Sequence, residues 1–496
     1  MSFYAGFRFL YIAAIPRFRR QLRDIDRAHC IGLLFSLGRT AAMTPWLAEF
    51  SHNVLKNMFQ PLLLFFYMGF LVPIMKVGFE FPHVVYQGLV IYLLVSIGWG
   101  GGEELAELYV HDKEMLVKAL GFMVVGFITN FIIGIAAYGI LRIATRLRRI
   151  DAATVAAYYG SDSAGTFATC LGALATMQVA AMTAVLATAN INASQLDMKD
   201  LDLKKVETGL ADPVAISHWE QRGVSVATVR EAVAAGEQYK EASFMPVMLA
   251  IMEIPGCLVG LYLIAKLRRS GMDKLGNMQD EPGYDPTAVR PMSITDDNGH
   301  GQNISVEGEG HKNASIFSKE MLHEVFLNPG IYLLFGGITI GFIGQLQGQA
   351  VVDKDNPVFK TLFHGLLCLY LLEMGITASR RFGDLKTAGW KFILFGLLAP
   401  NLFATFGMVV AHTYAQVVHT EFSIGTYTVF AVLCGAASYI AVPAIQRLAI
   451  PEASPTLPLA ASLGLTFTYN VTVGIPIYAQ IATSLFRYWP IEAVVT

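Results

Sequence analysis

Ten runs of mostly apolar residues divide this chain, each near the length a helix needs to cross a bilayer. They lie near 58–77, 82–99, 115–141, 152–190, 244–267, 328–344, 358–378, 389–412, 424–442 and 457–486. A membrane's hydrocarbon layer takes about 20 residues of helix. Lipid offers no hydrogen-bond partners, so each run must satisfy its own backbone as a helix. The expected fold class is all-α: a polytopic membrane protein with ten transmembrane helices. Composition agrees, since 15% of the residues are charged against about 25% in soluble domains. A soluble multi-domain enzyme is excluded. A net charge of −2 gives no basic footprint, so no nucleic-acid partner is expected. Cys30, Cys170, Cys257, Cys368 and Cys434 are scattered without CxxC spacing, which indicates neither a disulfide framework nor structural zinc.

Loop charges alternate. Arg142, Arg146, Arg148 and Arg149 follow the third run; Lys266, Arg268 and Arg269 the fifth; Arg380, Arg381 and Lys386 the seventh; Arg447 the ninth. Acidic residues occupy the other loops: Glu103, Glu104, Glu107, Asp112 and Glu114 after the second run, Asp353 and Asp355 after the sixth, Glu421 after the eighth. The basic set is expected on the cytoplasmic side. Two polar segments interrupt the runs. Residues 191–243 read as an extracytoplasmic insert, with VATVREAVAAGEQY as a helix. Residues 268–320, rich in Gly, Asp and Pro, read as a flexible cytoplasmic linker. The expected domains are 1–42, an N-terminal extension; 43–267, a first transmembrane repeat; the linker 268–320; and 321–496, a second repeat. Arg8, Arg17, Arg19, Arg20, Arg23 and Arg27 conflict with this orientation, which favours a start of translation at Met43.

The halves resemble each other. PLLLFFYMGFLVP and VSIGWGGGEEL correspond to NPGIYLLFGGITIGFIG and LLEMGITASRRFGDL. Later in each half comes a small-residue break, YYGSDSAGTFAT and LCGAASYIAVPA, and then a polar, proline-containing run, LAIMEIPG and TYNVTVGIP. Five runs is an odd number, so the halves must be inverted, with discontinuous crossover helices, an arrangement typical of secondary transporters.

The breaks carry the functional reading. Gly160, Ser161, Asp162, Ser163, Ala164, Gly165 and Thr166 form the first, and Gly435, Ala436, Ala437, Ser438 and Tyr439, ahead of Pro443, the second. Asp at mid-membrane costs about 2.5–3.5 kcal/mol on insertion scales. A broken helix exposes N–H groups that attract anions and carbonyls that attract cations. Two breaks meeting at the midplane would hold an anion beside a small cation; close packing of helices through small residues is the competing explanation. Glu253 is a second intramembrane carboxylate, with Asn470 at the corresponding repeat position; each precedes a proline, Pro255 and Pro476. Asp162, Glu253, Ser438 and Asn470 are the candidate sodium ligands. Glu373, His364 and His412 read as structural. Ser163 with His412 superficially suggests a serine hydrolase, but no GxSxG elbow exists, and no enzymatic activity is expected. A membrane sensor signalling through the linker is a further alternative.

At these motifs the chain resembles the SbtA-type sodium-dependent bicarbonate transport permeases. The resemblance rests on GSDSAGTF, MLAIMEIPG, HGLLCLYLLEMGITASRRFGDL and GAASYIAVPAIQRLAIPEASPTLPLAASLGLTFTYNVTVGIP, and runs from about residue 43 to residue 486. It implies sodium-coupled symport of bicarbonate, or a similar small monovalent anion such as another carboxylate. It further implies an elevator mechanism in a homotrimer in the bacterial inner membrane. Sodium would be co-transported, with no organic cofactor, and a cytoplasmic PII-like regulatory protein is an implied partner. Family members carry an Asp in a serine-rich second break, where this chain has Tyr439, and Asp-Ile-Pro where it has Glu253-Ile254-Pro255.

Overall fold

Apolar faces that remain exposed, rather than a buried core alone, organise these helices. Helix α3 (Lys113–Ala144) leaves Val117, Leu120, Val124, Ile128 and Ile132 exposed at three- and four-residue spacing, one continuous stripe of a helical surface. Leu394, Leu398, Leu402 and Val409 do the same farther along the chain. Water would penalise such stripes; lipid does not. The computed structural model describes residues 59–189, 225–287, 329–383, 385, 389–439, 442–443, 446, 450–454 and 456–491. Residues 1–42 and the proposed start at Met43, most of the insert, and the linker beyond 287 lie outside them.

Helices α1 (Pro61–Ile74), α2 (His83–His111), α3, α4 (Arg149–Tyr159) and α5 (Ala164–Thr188) are followed by α6 (Val226–Glu237), α7 (Met245–Met252) and α8 (Ile254–Arg269). Beyond the linker come α9 (Pro329–Gln347), α10 (Phe363–Arg381), α11 (Trp390–Val417) and α12 (Ile424–Gly435). The last helical run passes through π-helical stretches at Ala460–Phe467 and Asn470–Gly474 into α13 (Ile475–Tyr488). The chain is an all-α polytopic membrane protein. Seven of its described helical segments are long and apolar enough to cross a membrane, and Pro61–Ile74 and Ile424–Gly435 are shorter apolar helices.

Two departures from the sequence reading concern polar segments. Glu103, Glu104 and Glu107 are not in a loop but in the last turns of α2. The helix continues because its glycines let another backbone approach: a Cβ at Gly102 would lie 2.1 Å from the Ile338 carbonyl of α9, and one at Gly98 2.4 Å from that of Leu334. Glu103 is paired with Lys360. Asp112 then caps α3 by accepting the Met115 N–H at 2.8 Å. These acidic residues line a cleft of about 1260 Å³ with Lys240 and Glu421. The insert does contain its helix, α6, capped by Ser225.

The start of the expected linker, 271–287, is ordered. Arg149 donates its backbone N–H to Glu281 at 2.7 Å and its side chain pairs with Asp280 at 2.5 Å. Arg148 clasps Asp151 and also reaches the Leu275 carbonyl at 3.2 Å. Asp273 accepts the N–H groups of Leu275, Asn277 and Asp285 at 2.9, 2.7 and 2.9 Å. Burial pushes its carboxyl up, but these bonds together outweigh burial and hold it below the usual value. A folded-state pKa below the unfolded one, about 3.9, gives stability that is present at neutral pH and lost as pH falls through the folded value. Hydrogen-exchange protection of these turns should therefore stay flat from about pH 8 to pH 5 and drop below about pH 4. Protection that is already lost near pH 6 would contradict the role given to Asp273.

Candidate functional site

Four residues separate α4 from α5, and nothing in them can carry a helix across. Gly160 ends α4, and Ser163, in extended conformation, caps α5 by accepting the Thr166 N–H at 3.3 Å. Such a cap satisfies one of the four N–H groups that open a helix. The second break has the same construction: α12 stops at Gly435 and Ala436 is extended. Gly160 is packed against two other backbones, since a Cβ there would lie 2.9 Å from Gly134 Cα and 3.1 Å from Gly256 Cα.

The two breaks meet. The Ser438 N–H donates to the Tyr158 carbonyl at 2.8 Å and to the Ser161 carbonyl at 3.2 Å. The kink at Glu253, between α7 and α8, joins them: Pro255 lacks an N–H, which interrupts helical bonding. Side chains take up carbonyls here. Ser161 Oγ donates to the Glu253 carbonyl at 2.6 Å, and Asn130 Nδ2 to the Met252 carbonyl at 3.0 Å and to the Leu433 carbonyl at 3.4 Å. At the corresponding place in the second half, Asn470 Nδ2 donates to the Gly435 carbonyl at 2.9 Å. Asn470 Oδ1 is taken by the Tyr478 hydroxyl at 2.7 Å, so this side chain braces the break with both its ends.

The residues singled out in the sequence thus gather in one place, with different roles. Gly160, Gly165 and Gly435 admit neighbours, and Ala436 and Ala437 are buried between Gly435 and Ser438. Ser161, Ser163 and Thr166 are hydrogen-bonded, while Tyr439 turns its hydroxyl to Tyr370 at 2.6 Å. Asp162 is fully buried, and neither carboxylate oxygen has a hydrogen-bond partner; Ser438 Oγ and Asn130 Oδ1 are likewise buried and unpaired. Glu253 lies beside the first break, its carbonyl accepting from Ser161 Oγ at 2.6 Å. Burying a polar group without a partner costs free energy, and a charge costs far more. Asp162, Ser438 and Asn130 thus each bring an unpaired oxygen, a hard donor of the kind that alkali and alkaline-earth cations accept.

Three contributors escaped the sequence reading. Asn130 had a signal, as a lone amide in the apolar run FITNFIIG. Ser462 bonds the Ala437 and Ser438 carbonyls at 2.8 and 3.0 Å, and Tyr370 comes from α10; neither stands out in sequence. His412 shares its Nδ1 with the Tyr427 hydroxyl at 3.1 Å, and no hydrogen bond among the described residues joins it to Ser163. Glu373 does have polar company, accepting from Thr377 at 2.9 Å. Cys170, Cys257, Cys368 and Cys434 are buried free thiols.

Comparison with known proteins bears on this arrangement. The family model described as the Na+-dependent bicarbonate transporter superfamily matches residues 61–196 and 211–483. A search of curated proteins returned no match.

Proposed function

Because the chain belongs to the Na+-dependent bicarbonate transporter superfamily, we propose that it carries bicarbonate, or a similar small monovalent anion, across the membrane together with sodium. The observation that carries this reading is Asp162: a carboxylate fully buried, with no partner in the protein, at the point where two broken helices touch. Such a group is either neutral or balanced by a cation. Sodium is the cargo that would supply the balance, with Asp162 as the charged ligand and Ser438 and Asn130 as neutral oxygens. Glu253, the second buried carboxylate beside the first break, is a further candidate ligand. Asn470 braces the second break through Gly435 and Tyr478, and its Oδ1, with a second lone pair, is another candidate ligand.

The anion would sit against the start of α5, where helical N–H groups point into the crossing. Opposite charges a few Å apart in a dry site attract strongly, so each ligand raises the affinity for the other. That reciprocity is what makes a carrier a symporter.

Helix pairing supports ten spans in two inverted repeats, 43–267 and 321–496. Helix α1 packs on α10, and α2 on α9, so that the first helix of each half meets the second of the other. Gly69 and Gly375 mark the first pair, as a Cβ at either would lie 1.9–2.1 Å from the opposing carbonyl of Leu372 or Phe66. In the elevator reading these four helices are the scaffold, and the two breaks ride on the remainder. We place the arginine-rich loops in the cytoplasm, facing any PII-like regulator, and take the working unit to be a homotrimer.

Labelled bicarbonate uptake into proteoliposomes tests the proposal. Uptake should depend on an inward sodium gradient and persist against a tenfold excess of small carboxylates. Equal uptake with sodium replaced by choline would end it, and full competition by a carboxylate would reassign the substrate.

A further inference from the structure

Tyr370 belongs to neither break, yet it closes the site from the side of α10. Its hydroxyl lies 2.6 Å from that of Tyr439, and both rings are buried. In the first turn of α5, Thr166 Oγ1 donates to Ser163 Oγ at 2.9 Å. Two hydroxyl pairs thus flank the start of α5, Thr166 with Ser163 and Tyr439 with Tyr370.

Gly165 makes room for them. A Cβ there would lie 1.8 Å from the Tyr439 hydroxyl and 2.3 Å from that of Tyr370. Both phenols thus point at the backbone of the α5 N-terminal turn. The Tyr370 ring is fixed from behind by stacking on Tyr86, with centroids 6.2 Å apart and planes 14° apart. A phenol held this way keeps its hydroxyl aimed at the start of α5.

We propose that Tyr370 is a specificity-determining residue of the transport site, and that with Tyr439 it selects an oxyanion bearing its own O–H group over one of the same shape without it. The inference rests on the transport reading above. A hydroxyl both donates and accepts. An incoming anion that parts the Tyr370–Tyr439 bond must replace a donor as well as an acceptor. Bicarbonate does both. Nitrate, equally planar and monovalent, only accepts, and it leaves one phenol oxygen without a donor in a buried place. Sites built to hydrogen-bond a hydroxyl reject analogues that lack it far more strongly than apolar pockets reject a missing methylene.

The test is Tyr370→Phe, which keeps the ring and its stacking and removes one hydroxyl. Nitrate serves as competitor of sodium-driven bicarbonate uptake at constant ionic strength. In the wild type, nitrate should inhibit only at concentrations at least about tenfold above the bicarbonate KM. In Tyr370→Phe the bicarbonate KM should rise while the nitrate inhibition constant does not, narrowing the ratio by about tenfold. Tyr439→Phe should narrow it in the same direction. Thermal unfolding of the purified variants with bicarbonate or nitrate gives the same comparison without flux. A ratio unchanged in Tyr370→Phe, with wild-type uptake intact, overturns this inference alone; a wild type without sodium-driven bicarbonate uptake overturns it together with the transport reading.

Discussion

Asp162→Asn should abolish sodium-driven bicarbonate uptake and leave the folded protein at least as stable as the wild type. The two effects have opposite signs because they come from the same carboxylate. Asp162 is fully buried, and neither oxygen receives a hydrogen bond. The protein carries the cost of an isolated acid there, about 2.5–3.5 kcal/mol for Asp at mid-membrane on insertion scales. Asparagine has the same shape, no charge and two N–H donors. Ser438, whose N–H bonds the Ser161 carbonyl next to Asp162, has a hydroxyl without a partner, an acceptor for such a donor. The variant should unfold at an equal or higher temperature.

Function loses what stability gains. Removing one charge of a buried ion pair typically costs about 3–5 kcal/mol. Sodium affinity should therefore fall by a factor on the order of 100 or more, and the anion's affinity should fall with it by linkage. Sodium-dependent thermal stabilisation, present in the wild type, should vanish. Uptake at the wild-type rate by a well-inserted Asp162→Asn protein would remove Asp162 from the mechanism. A destabilised variant would mean that the carboxylate has a structural partner.

Much of this arrangement could be read from residue order, for a physical reason. Lipid enforces a simple rule, apolar runs of fixed length, so α3, α8 and α11 announce themselves. The breaks are equally legible, because Gly-Ser-Asp-Ser inside an apolar run has no cheap explanation. Two kinds of information stayed hidden. One is how far a helix continues when polar residues begin: α2 keeps its three glutamates helical because α9 packs on its glycines, a contact between residues more than 200 positions apart. The other is who faces whom. Tyr370 looks like any aromatic in an apolar span, and only the fold brings its hydroxyl to Tyr439. Asn470 shows the limit from the opposite side. Its position in the repeat marked it as a ligand, and only the fold shows that its amide also braces the break through hydrogen bonds to Gly435 and Tyr478.

Gly256→Ala should be the most damaging single-methyl change in the molecule's centre. Gly256 follows the Pro255 kink in α8 and packs against the end of α4. An added Cβ would lie 2.1 Å from the Ala157 carbonyl oxygen, 2.6 Å from the Ser161 N and 2.7 Å from the Gly160 carbonyl carbon. All three obstacles are backbone, so no side chain can rotate to relieve them. Overpacking a core usually costs about 1–3 kcal/mol; here relief requires α8 and α4 to separate, which puts the cost at about 3 kcal/mol or above. Separation would also break the Ser161–Glu253 bond and shift the Ser161 carbonyl that receives Ser438, so the two breaks would lose their common seat. The expected result is a sharp fall in folded yield and in unfolding temperature, with no sodium-driven uptake in whatever survives. Gly139→Ala is the matched control, because a Cβ there meets nothing within 4 Å and alanine favours helix over glycine by up to about 1 kcal/mol. It should fold and transport as the wild type does. Should Gly256→Ala match that control in stability and uptake, α4 and α8 do not pack this closely in the working protein, and the crossing would have to be built in another way.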